Sequence, residues 1–174
     1  EGKISAIQYV REQNIPFLGI CLGMQMAVIE YARNVKGMSK ANSTEMDPEC
    51  KVAIIDLMES QKNITDKGGT MRLGAWDCVL ASDSMLNQVY STQEISERHR
   101  HRYEFNDSYR EQLFDNDFKI AGWNPETKLV EIIENKNHAW FVGVQFHPEY
   151  KSTVSNPHPL FAAFVGAALK HSRT

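Results

Sequence analysis

The stretch PFLGICLGMQMAVIEYARNV, residues 16 to 35, places a cysteine between two glycines at a change of hydrophobic pattern. Residues 15 to 20 form a short run that is apolar apart from Gly19, which is typical of a buried strand. After Cys21 the apolar residues recur at the spacing of an amphipathic helix, at Met24, Ala27, Val28, Tyr31 and Val35. A strand, a tight turn and a helix in this order predict an α/β fold with a parallel sheet.

The motif Gly19-x-Cys21-x-Gly23 has the form of a nucleophile elbow, in which a reactive side chain is held at a sharp strand-to-helix turn. Side chains two residues before and after the nucleophile would collide with the neighbouring strand and helix, so glycines are expected there. The helix N-terminus is expected to lower the pKa of the Cys21 thiol. The competing interpretation is a buried, unreactive cysteine, the usual fate of a lone cysteine in an apolar stretch.

The composition fits one globular domain. The chain has 174 residues, of which 42% are hydrophobic and 24% charged, which is enough apolar mass for a sizeable core. The formal net charge of -3 gives no general attraction for nucleic acid or anionic membranes. No apolar run approaches the roughly 20 residues of a membrane span and no leader is recognisable, so we expect a cytoplasmic protein.

The cysteines argue against a disulfide framework or a zinc finger. Cys21, Cys50 and Cys78 form no CxxC pair, and three thiols cannot all pair with one another. At least one thiol is therefore expected to be free, and no metal site is predicted. The chain opens with Glu1 in an apparent helix rather than with Met, which suggests a fragment.

The hydrophobic pattern predicts alternating helices and strands along the rest of the chain. Residues 36–50 and 61–69 are rich in turn-forming residues and are predicted to be loops. A short helix is expected over 83–90, capped by Ser82 or Ser84. Further helices are predicted over 3–13, within 106–114 and over 159–170, and strands over 52–58, 70–81, 98–105, 118–124, 129–135 and 139–146.

His147 is the best candidate for a base that activates the cysteine. It stands at the end of the predicted strand 139–146, where α/β folds place their active clefts. Glu149 can lie on the same side of an extended chain as His147, with Pro148 fixing the backbone between them, and a carboxylate there can hold the imidazole tautomer. Taken alone, His-Pro-Glu is a weak pattern that favours an ordinary turn at a strand end, and it becomes a triad hypothesis only in combination with the elbow.

The basic run RHRHRYE, residues 98–104, is a third cluster. Alternation along a strand would place its arginines on one face and its histidines on the other. A solvated edge strand and an arginine that binds a small carboxylate or phosphate both remain open. A run of this length on an acidic domain is a weak indication of nucleic-acid binding.

Taken together, these motifs resemble a known family. PFLGICLGMQ with GVQFHPEY is similar to the class I, or triad, glutamine amidotransferases, in which a Cys-His-Glu set hydrolyses glutamine to glutamate and ammonia. Narrower motifs resemble the glutaminase domain of the CTP synthase family: NSTEM (42–46), GGTMRLG (68–74), ERHRHRYEFN (97–106), HPEYKS (147–152) and HPLF (158–161). The resemblance spans essentially the whole chain and implies a flavodoxin-like α/β fold with a mainly parallel central sheet.

The resemblance also implies roles for single residues. Cys21 matches the nucleophile that forms the glutamyl thioester, His147 the general base and acid, and Glu149 the orienting carboxylate. The glutamine pocket is matched by the backbone of Leu22, Gly23, Met24 and Gln25, with the Leu22 N–H as one oxyanion donor. Glu45 and Arg102 match the other glutamine contacts, for the α-ammonium and the α-carboxylate respectively.

The resemblance implies partners outside the 174 residues. The family has an upstream synthetase domain that uses ATP and Mg²⁺ to aminate UTP, is activated by GTP and is typically a homotetramer. No GxxxxGK[ST] phosphate loop occurs here, so neither ATP nor any other cofactor is expected to bind this chain. The family's glycine-rich oxyanion loop lies upstream as well, so we expect the N-terminal part of the domain to be missing and residues 1–174 alone to be a poor glutaminase.

Functions other than that of a CTP synthase glutaminase domain remain open from the sequence. The elbow and His-Pro-Glu would equally serve the glutaminase of another amidotransferase or a γ-glutamyl peptidase. A non-catalytic regulatory module of the same fold is a third possibility, although all three triad residues are present.

Overall fold

The computed structural model describes residues 1–57 and 71–173. Its helices are α1 (Gly2–Glu12), α2 (Leu22–Asn34), α3 (Met85–Tyr90), α4 (Arg110–Leu113) and α5 (Pro159–His171), with 3-10 turns at Asp107–Tyr109 and Pro148–Lys151. Its strands are β1 (Phe17–Ile20), β2 (Ala41–Ser43), β3 (Val52–Leu57), β4 (Arg72–Leu80), β5 (Glu94–His101), β6 (Tyr103–Phe105), β7 (Phe118–Trp123), β8 (Val130–Asn135) and β9 (Phe141–Val144). The predicted α/β class is confirmed.

The strands form two sheets. The larger has the order β1-β9-β8-β7-β4-β5, and the smaller has the order β2-β3-β6. Among the described residues, only the pairs β1/β9 and β2/β3 are parallel. The expected mainly parallel sheet is therefore wrong for this part of the chain. The reason is that β7, β8 and β9 are joined by short connections, which reverse the chain and impose antiparallel pairing.

Helices cover both faces of the larger sheet. One apolar cluster joins α1 and α2 to Phe118, Ile133 and Phe141, and the other joins α3 and α5 to residues such as Ile132 and Val142. Neighbouring residues of one strand thus point into different clusters, as the alternation of side chains along a strand requires. All six residues of β8 are buried because the strand lies between these two layers.

Most predicted elements occur close to their predicted positions. Ser84 caps α3, since its hydroxyl oxygen accepts a hydrogen bond from the N–H of Asn87 at 3.0 Å. The three-residue strand β2 lies inside a predicted loop, and the predicted strand over 98–105 is interrupted at Arg102 between β5 and β6. The turn predicted over 61–69 lies outside the described residues.

Candidate active site

Cys21 occupies the strained corner that its sequence predicts. It lies between β1 and α2 with φ +50° and ψ −104°, in the left-handed half of backbone space that side chains rarely adopt. Its N–H donates to the carbonyl of Val144 at 2.7 Å, which ties the corner to β9. Cys21, Cys50 and Cys78 are all free thiols.

The two glycines beside Cys21 serve different needs. A Cβ at Gly19 would lie 2.7 Å from the carbonyl carbon of Gly23, closer than real atoms approach. Among the residues that the structure describes, a Cβ at Gly23 would meet nothing within 4 Å. The expected collision is therefore confirmed at Gly19 and wrong at Gly23, because the helix turns its Gly23 position away from the strand.

His147 and Glu149 form a hydrogen-bonded pair just after β9. The His147 N–H donates to the carbonyl of Arg98 at 2.8 Å, which fixes the backbone of the pair to β5. Nδ1 of His147 lies 2.6 Å from Oε1 of Glu149. Because an ionised carboxylate only accepts, Nδ1 carries the proton and Nε2 keeps its lone pair. That Nε2 atom is buried and has no hydrogen-bond partner among the described residues.

A cavity of about 230 Å³ opens beside the cysteine. Five of the residues predicted for the site line it: Cys21, Leu22, Gln25, Glu45 and Arg102. Glu45 is exposed in the turn after β2, while Arg102 stands at the break between β5 and β6. An acidic and a basic group thus stand at one cavity with the thiol, although they are far apart in sequence.

Gly23 and Met24 do not line this cavity among the described residues. The Met24 side chain is fully buried in the core, where it packs so closely on Gly143 that a Cβ added to this glycine would lie 3.0 Å from the Met24 Cγ. The Gln25 side chain is 3% exposed and donates to the carbonyl of Tyr103 at 2.9 Å. Contact with a substrate by Gly23 or Met24 would therefore have to come from the backbone.

The Cys21 thiol is harder to ionise than the sequence predicts. Burial raises its pKa to about 11, and the negative charges of Glu45, Glu149 and Glu104 act in the same direction. The N–H of Leu22, at the start of α2, opposes this shift but does not outweigh it. The expected lowering of the pKa is wrong because desolvation and three carboxylates dominate the helix N-terminus. In the resting site the sulfur holds its proton and needs a base to remove it.

Within β5 the run RHRHRYE divides as predicted, whereas Arg102 lies at the break after the strand. Along β5, Arg98 and Arg100 are exposed, while His99 and His101 are 2% and 5% exposed. Burial lowers the pKa of His99 to about 2 and that of His101 to about 3, with the positive charge of Arg72 as the next cause. Both histidines are therefore neutral parts of the wall behind the cavity.

A buried ionic network supports this wall and was not predicted. Arg72 donates through Nη1 to Glu104 at 3.2 Å and through Nη2 to Glu131 at 2.7 Å. Desolvation raises the pKa of Glu104 to about 8 and also raises that of Glu131. One guanidinium faces two carboxyl groups, so it cannot fully neutralise both. Arg72 lies within the quoted GGTMRLG motif, but nothing in the sequence indicates its partners.

Gln145, inside the quoted GVQFHPEY motif, was also assigned no role. It is fully buried and its Nε2 lies 3.6 Å from the sulfur of Cys21. Its place two residues before His147 on an extended segment is the signal that could have identified it.

Metal and membrane features are absent from the described part of the chain. Within residues 1–57 and 71–173, no group of three or more His, Cys, Asp or Glu side chains could hold a metal ion. None of the helices there is long and apolar enough to cross a membrane.

The fold and the cysteine corner define a class that comparison with known proteins supports. The profile of the family described as "Glutamine amidotransferase class-I" matches residues 1–167. The chain belongs to this family.

The curated relatives of the chain belong to a narrower group within this family. The chain is 64% identical over 172 residues to the CTP synthase of Christiangramia forsetii, covering 99% of this chain and 32% of that protein. It is 62% identical over 171 residues to the CTP synthase of Flavobacterium psychrophilum, covering 98% of this chain and 32% of the relative. The chain thus spans about a third of the length of these curated relatives.

A solved structure has a similar fold. The glutaminase domain of Trypanosoma brucei CTPS, determined with bound acivicin, superposes with a TM-score of 0.90 at 41% sequence identity. The match covers 97% of this chain and 66% of that one.

Proposed function

We propose that this chain is the glutaminase domain of a CTP synthase and that it hydrolyses L-glutamine through Cys21, His147 and Glu149. The observation that carries the proposal is the shared cavity of Cys21, Glu45 and Arg102, which joins a nucleophile to two groups of opposite charge. The CTP synthase relatives and the similarity to a CTPS glutaminase domain support the same assignment.

The first half of the reaction forms a thioester. His147 takes the thiol proton at Nε2, and Glu149 stabilises the resulting imidazolium through Nδ1–H. The Cys21 sulfur attacks the side-chain amide carbon of glutamine, and the Leu22 N–H donates to the oxyanion of the tetrahedral intermediate. The intermediate collapses as the C–N bond breaks, and the departing nitrogen takes the proton from His147 to leave as ammonia.

The second half returns the enzyme to its starting state. His147 removes a proton from a water molecule, which attacks the thioester carbon. The C–S bond then breaks and the sulfur recovers the proton from His147. Glutamate leaves with one oxygen from water, so the reaction consumes one water and releases one ammonia.

Charged groups in the cavity would select glutamine from simple amides. The Glu45 carboxylate suits the α-ammonium of glutamine, and the planar guanidinium of Arg102 suits its α-carboxylate. A substrate with neither charge would make neither of these contacts and would bind less tightly. Recognition is therefore assigned to Glu45, Arg102 and the backbone from Leu22 to Gln25.

The wider protein is proposed from the relatives. A synthetase domain in the same protein would use ATP and Mg²⁺ to activate UTP and accept ammonia from this domain to make CTP. The protein would be cytoplasmic, with homotetramer assembly and GTP activation as in the family it resembles. Bulk water would dilute the ammonia, so a closed path between the two sites is part of the proposal.

The experiment compares nitrogen sources in the intact protein. We expect Cys21→Ala to abolish CTP formation from glutamine and to leave CTP formation from ammonium chloride unchanged. Retention of glutamine-dependent synthesis would contradict the role of Cys21. Ammonia production from glutamine without CTP formation from either source would instead indicate a different amidotransferase or a γ-glutamyl hydrolase.

A further inference from the structure

Gln145 is the side chain that contacts the reactive sulfur from the β9 side. It is fully buried, and its backbone N–H donates to the carbonyl of Glu131 at 2.8 Å. Its Nε2 lies 3.6 Å from Sγ of Cys21, within the reach of a hydrogen bond to sulfur. The residue belongs to no part of the proposed triad or of the proposed glutamine contacts.

A backbone carbonyl fixes which end of this amide faces the sulfur. The carbonyl of Tyr103 can only accept, so the Gln25 atom 2.9 Å from it is the NH₂ nitrogen. The same nitrogen lies 3.2 Å from the side chain of Gln145 and therefore donates to its oxygen. The other end of the Gln145 amide, its NH₂ group, must then point to Cys21.

The charges around Cys21 disfavour the thiolate, so a hydrogen-bond donor to the sulfur would counteract them. Glu45 from the turn after β2, Glu104 from β6 and Glu149 from the turn after β9 all disfavour a negative sulfur. The Leu22 N–H at the start of α2 acts in the opposite direction, and His147 supplies the base. In a buried site, a fixed amide donor stabilises an anion with little reorganisation.

We propose that Gln145 is a catalytic residue that donates a hydrogen bond to the Cys21 sulfur and stabilises the thiolate before it attacks. Gln25 is the positioning residue that orients it. The inference deepens the proposed glutaminase function and rests on it for the identity of the substrate. The contact itself concerns only the sulfur.

The test is the pH dependence of Cys21 alkylation by iodoacetamide in the intact protein, with the Cys21→Ala rate subtracted. Gln145→Met keeps the length of the side chain and removes the donor. We expect its profile to shift upward by at least about one pH unit, which makes alkylation about tenfold slower near neutral pH. A smaller shift, or none, would overturn the proposal.

Asn124→Leu is the matched control. Asn124 is also a buried amide, 3% exposed, and it donates to the carbonyl of Asp77 far from the cysteine in sequence and sheet order. Its loss should lower stability and leave the alkylation profile in place. A control profile that shifts as far as that of Gln145→Met would overturn the specific role of Gln145.

A second variant covers a failure of Gln145→Met to fold. Gln25→Met removes the group that orients Gln145 and should shift the profile in the same direction by a smaller amount. An alkylation profile of Gln25→Met identical to that of the wild type would overturn the proposal that Gln25 orients Gln145. Glutamine hydrolysis by the wild-type protein is measured in parallel. If the wild type hydrolyses no glutamine while Gln145→Met still shifts the alkylation profile, the proposed function is refuted and the sulfur contact stands.

Discussion

At the scale of single residues, Gly19 and Gly23 show how a symmetric motif can hide unequal roles. Both flank Cys21 at the same spacing, yet only Gly19 has no room for a side chain. The elbow motif correctly predicts the strained strand-to-helix corner at Cys21. It cannot predict which glycine is required, because that depends on the distance between β1 and the first turn of α2.

The two glycines therefore give a paired prediction. Gly19→Ala should lower the free energy of unfolding by about 1–3 kcal/mol or more, since a methyl group must displace backbone. Gly23→Ala should be neutral or slightly stabilising, because alanine favours a helix more than glycine does. Thermal unfolding of both variants checks this, and equal losses of stability would contradict the packing argument.

Arg102 gives a second prediction at this scale. Arg102→Ala should raise the KM for glutamine about 10- to 100-fold, since a charge-assisted hydrogen bond to the substrate is lost. Arg98→Ala is the control, because Arg98 is exposed on β5 and lies outside the lining of the cavity. Steady-state kinetics with glutamine and with ammonia separate the two, and an unchanged KM would remove Arg102 from the pocket.

At the scale of elements, β4, β5, β6 and β8 share one buried ionic network beneath the site. Its arginine comes from the start of β4, and its carboxylates come from β6 and β8. The histidines of β5 complete the layer, with Nδ1 of His99 lying 2.8 Å from Nε2 of His101. The network holds β5 and β6, the two strands on either side of Arg102. Its strand β5 also contains Arg98, whose carbonyl accepts the hydrogen bond from the His147 N–H.

Removing the Arg72 guanidinium from the network should be costly. Arg72→Met leaves Glu104 and Glu131 without a counter-charge, so we expect a loss of about 3–5 kcal/mol in the free energy of unfolding. Lys136→Met removes a solvent-exposed partner of Asp83 and should leave the unfolding midpoint nearly unchanged. Denaturant titration compares them, and similar midpoints for the two variants would contradict a supporting role for the network.

The same network predicts a pH dependence. The pKa of Glu104 is raised from 4.5 to about 8 by burial, so the folded state binds a proton that the unfolded state releases. Stability from this group is complete below about pH 4.5 and declines as the pH rises toward 8. His99 and His101 have lowered pKa values, so their effect falls below about pH 6.5 and has the opposite sign.

Between pH 6.5 and 8 the two histidines of the network no longer titrate, so its remaining pH dependence comes from the buried carboxyl groups of Glu104 and Glu131. Wild-type stability should fall across this window, and Glu104→Gln should make the fall less steep because its neutral amide does not titrate. Urea unfolding at several pH values measures the slope. An equal slope in both proteins would contradict the assignment.

Sequence patterns predicted the elements better than their pairing. The spacing of apolar residues identifies α2, although the helix is buried continuously over residues 24–32. The alternation of arginine and histidine identifies β5, which alternates exposed and buried positions there. β2 has three residues and is too short to show a period. The direction of the strands depends on contacts between distant segments, which explains why the parallel sheet was overestimated. The low pKa expected for the Cys21 thiol was wrong for the same reason, since the burial of the thiol and its proximity to Glu45 and Glu104 arise only in the fold.

At the scale of the whole molecule, one parallel strand pair assembles the site. β1 and β9 lie side by side with Ile20 paired to Val144, so the segments that follow the two strands emerge at the same edge of the sheet. One segment carries Cys21, and the other carries Gln145, His147 and Glu149. The chain spans about a third of the length of the CTP synthase relatives.

The most direct test is the site of covalent labelling by 6-diazo-5-oxonorleucine, a glutamine analogue with an electrophilic diazoketone. The intact protein is treated with the analogue, digested and mapped by mass spectrometry. The account predicts one adduct on Cys21, prevented by excess glutamine and greatly slowed by Arg102→Ala. Labelling of another residue, or labelling of Cys21 that glutamine does not prevent, would contradict it.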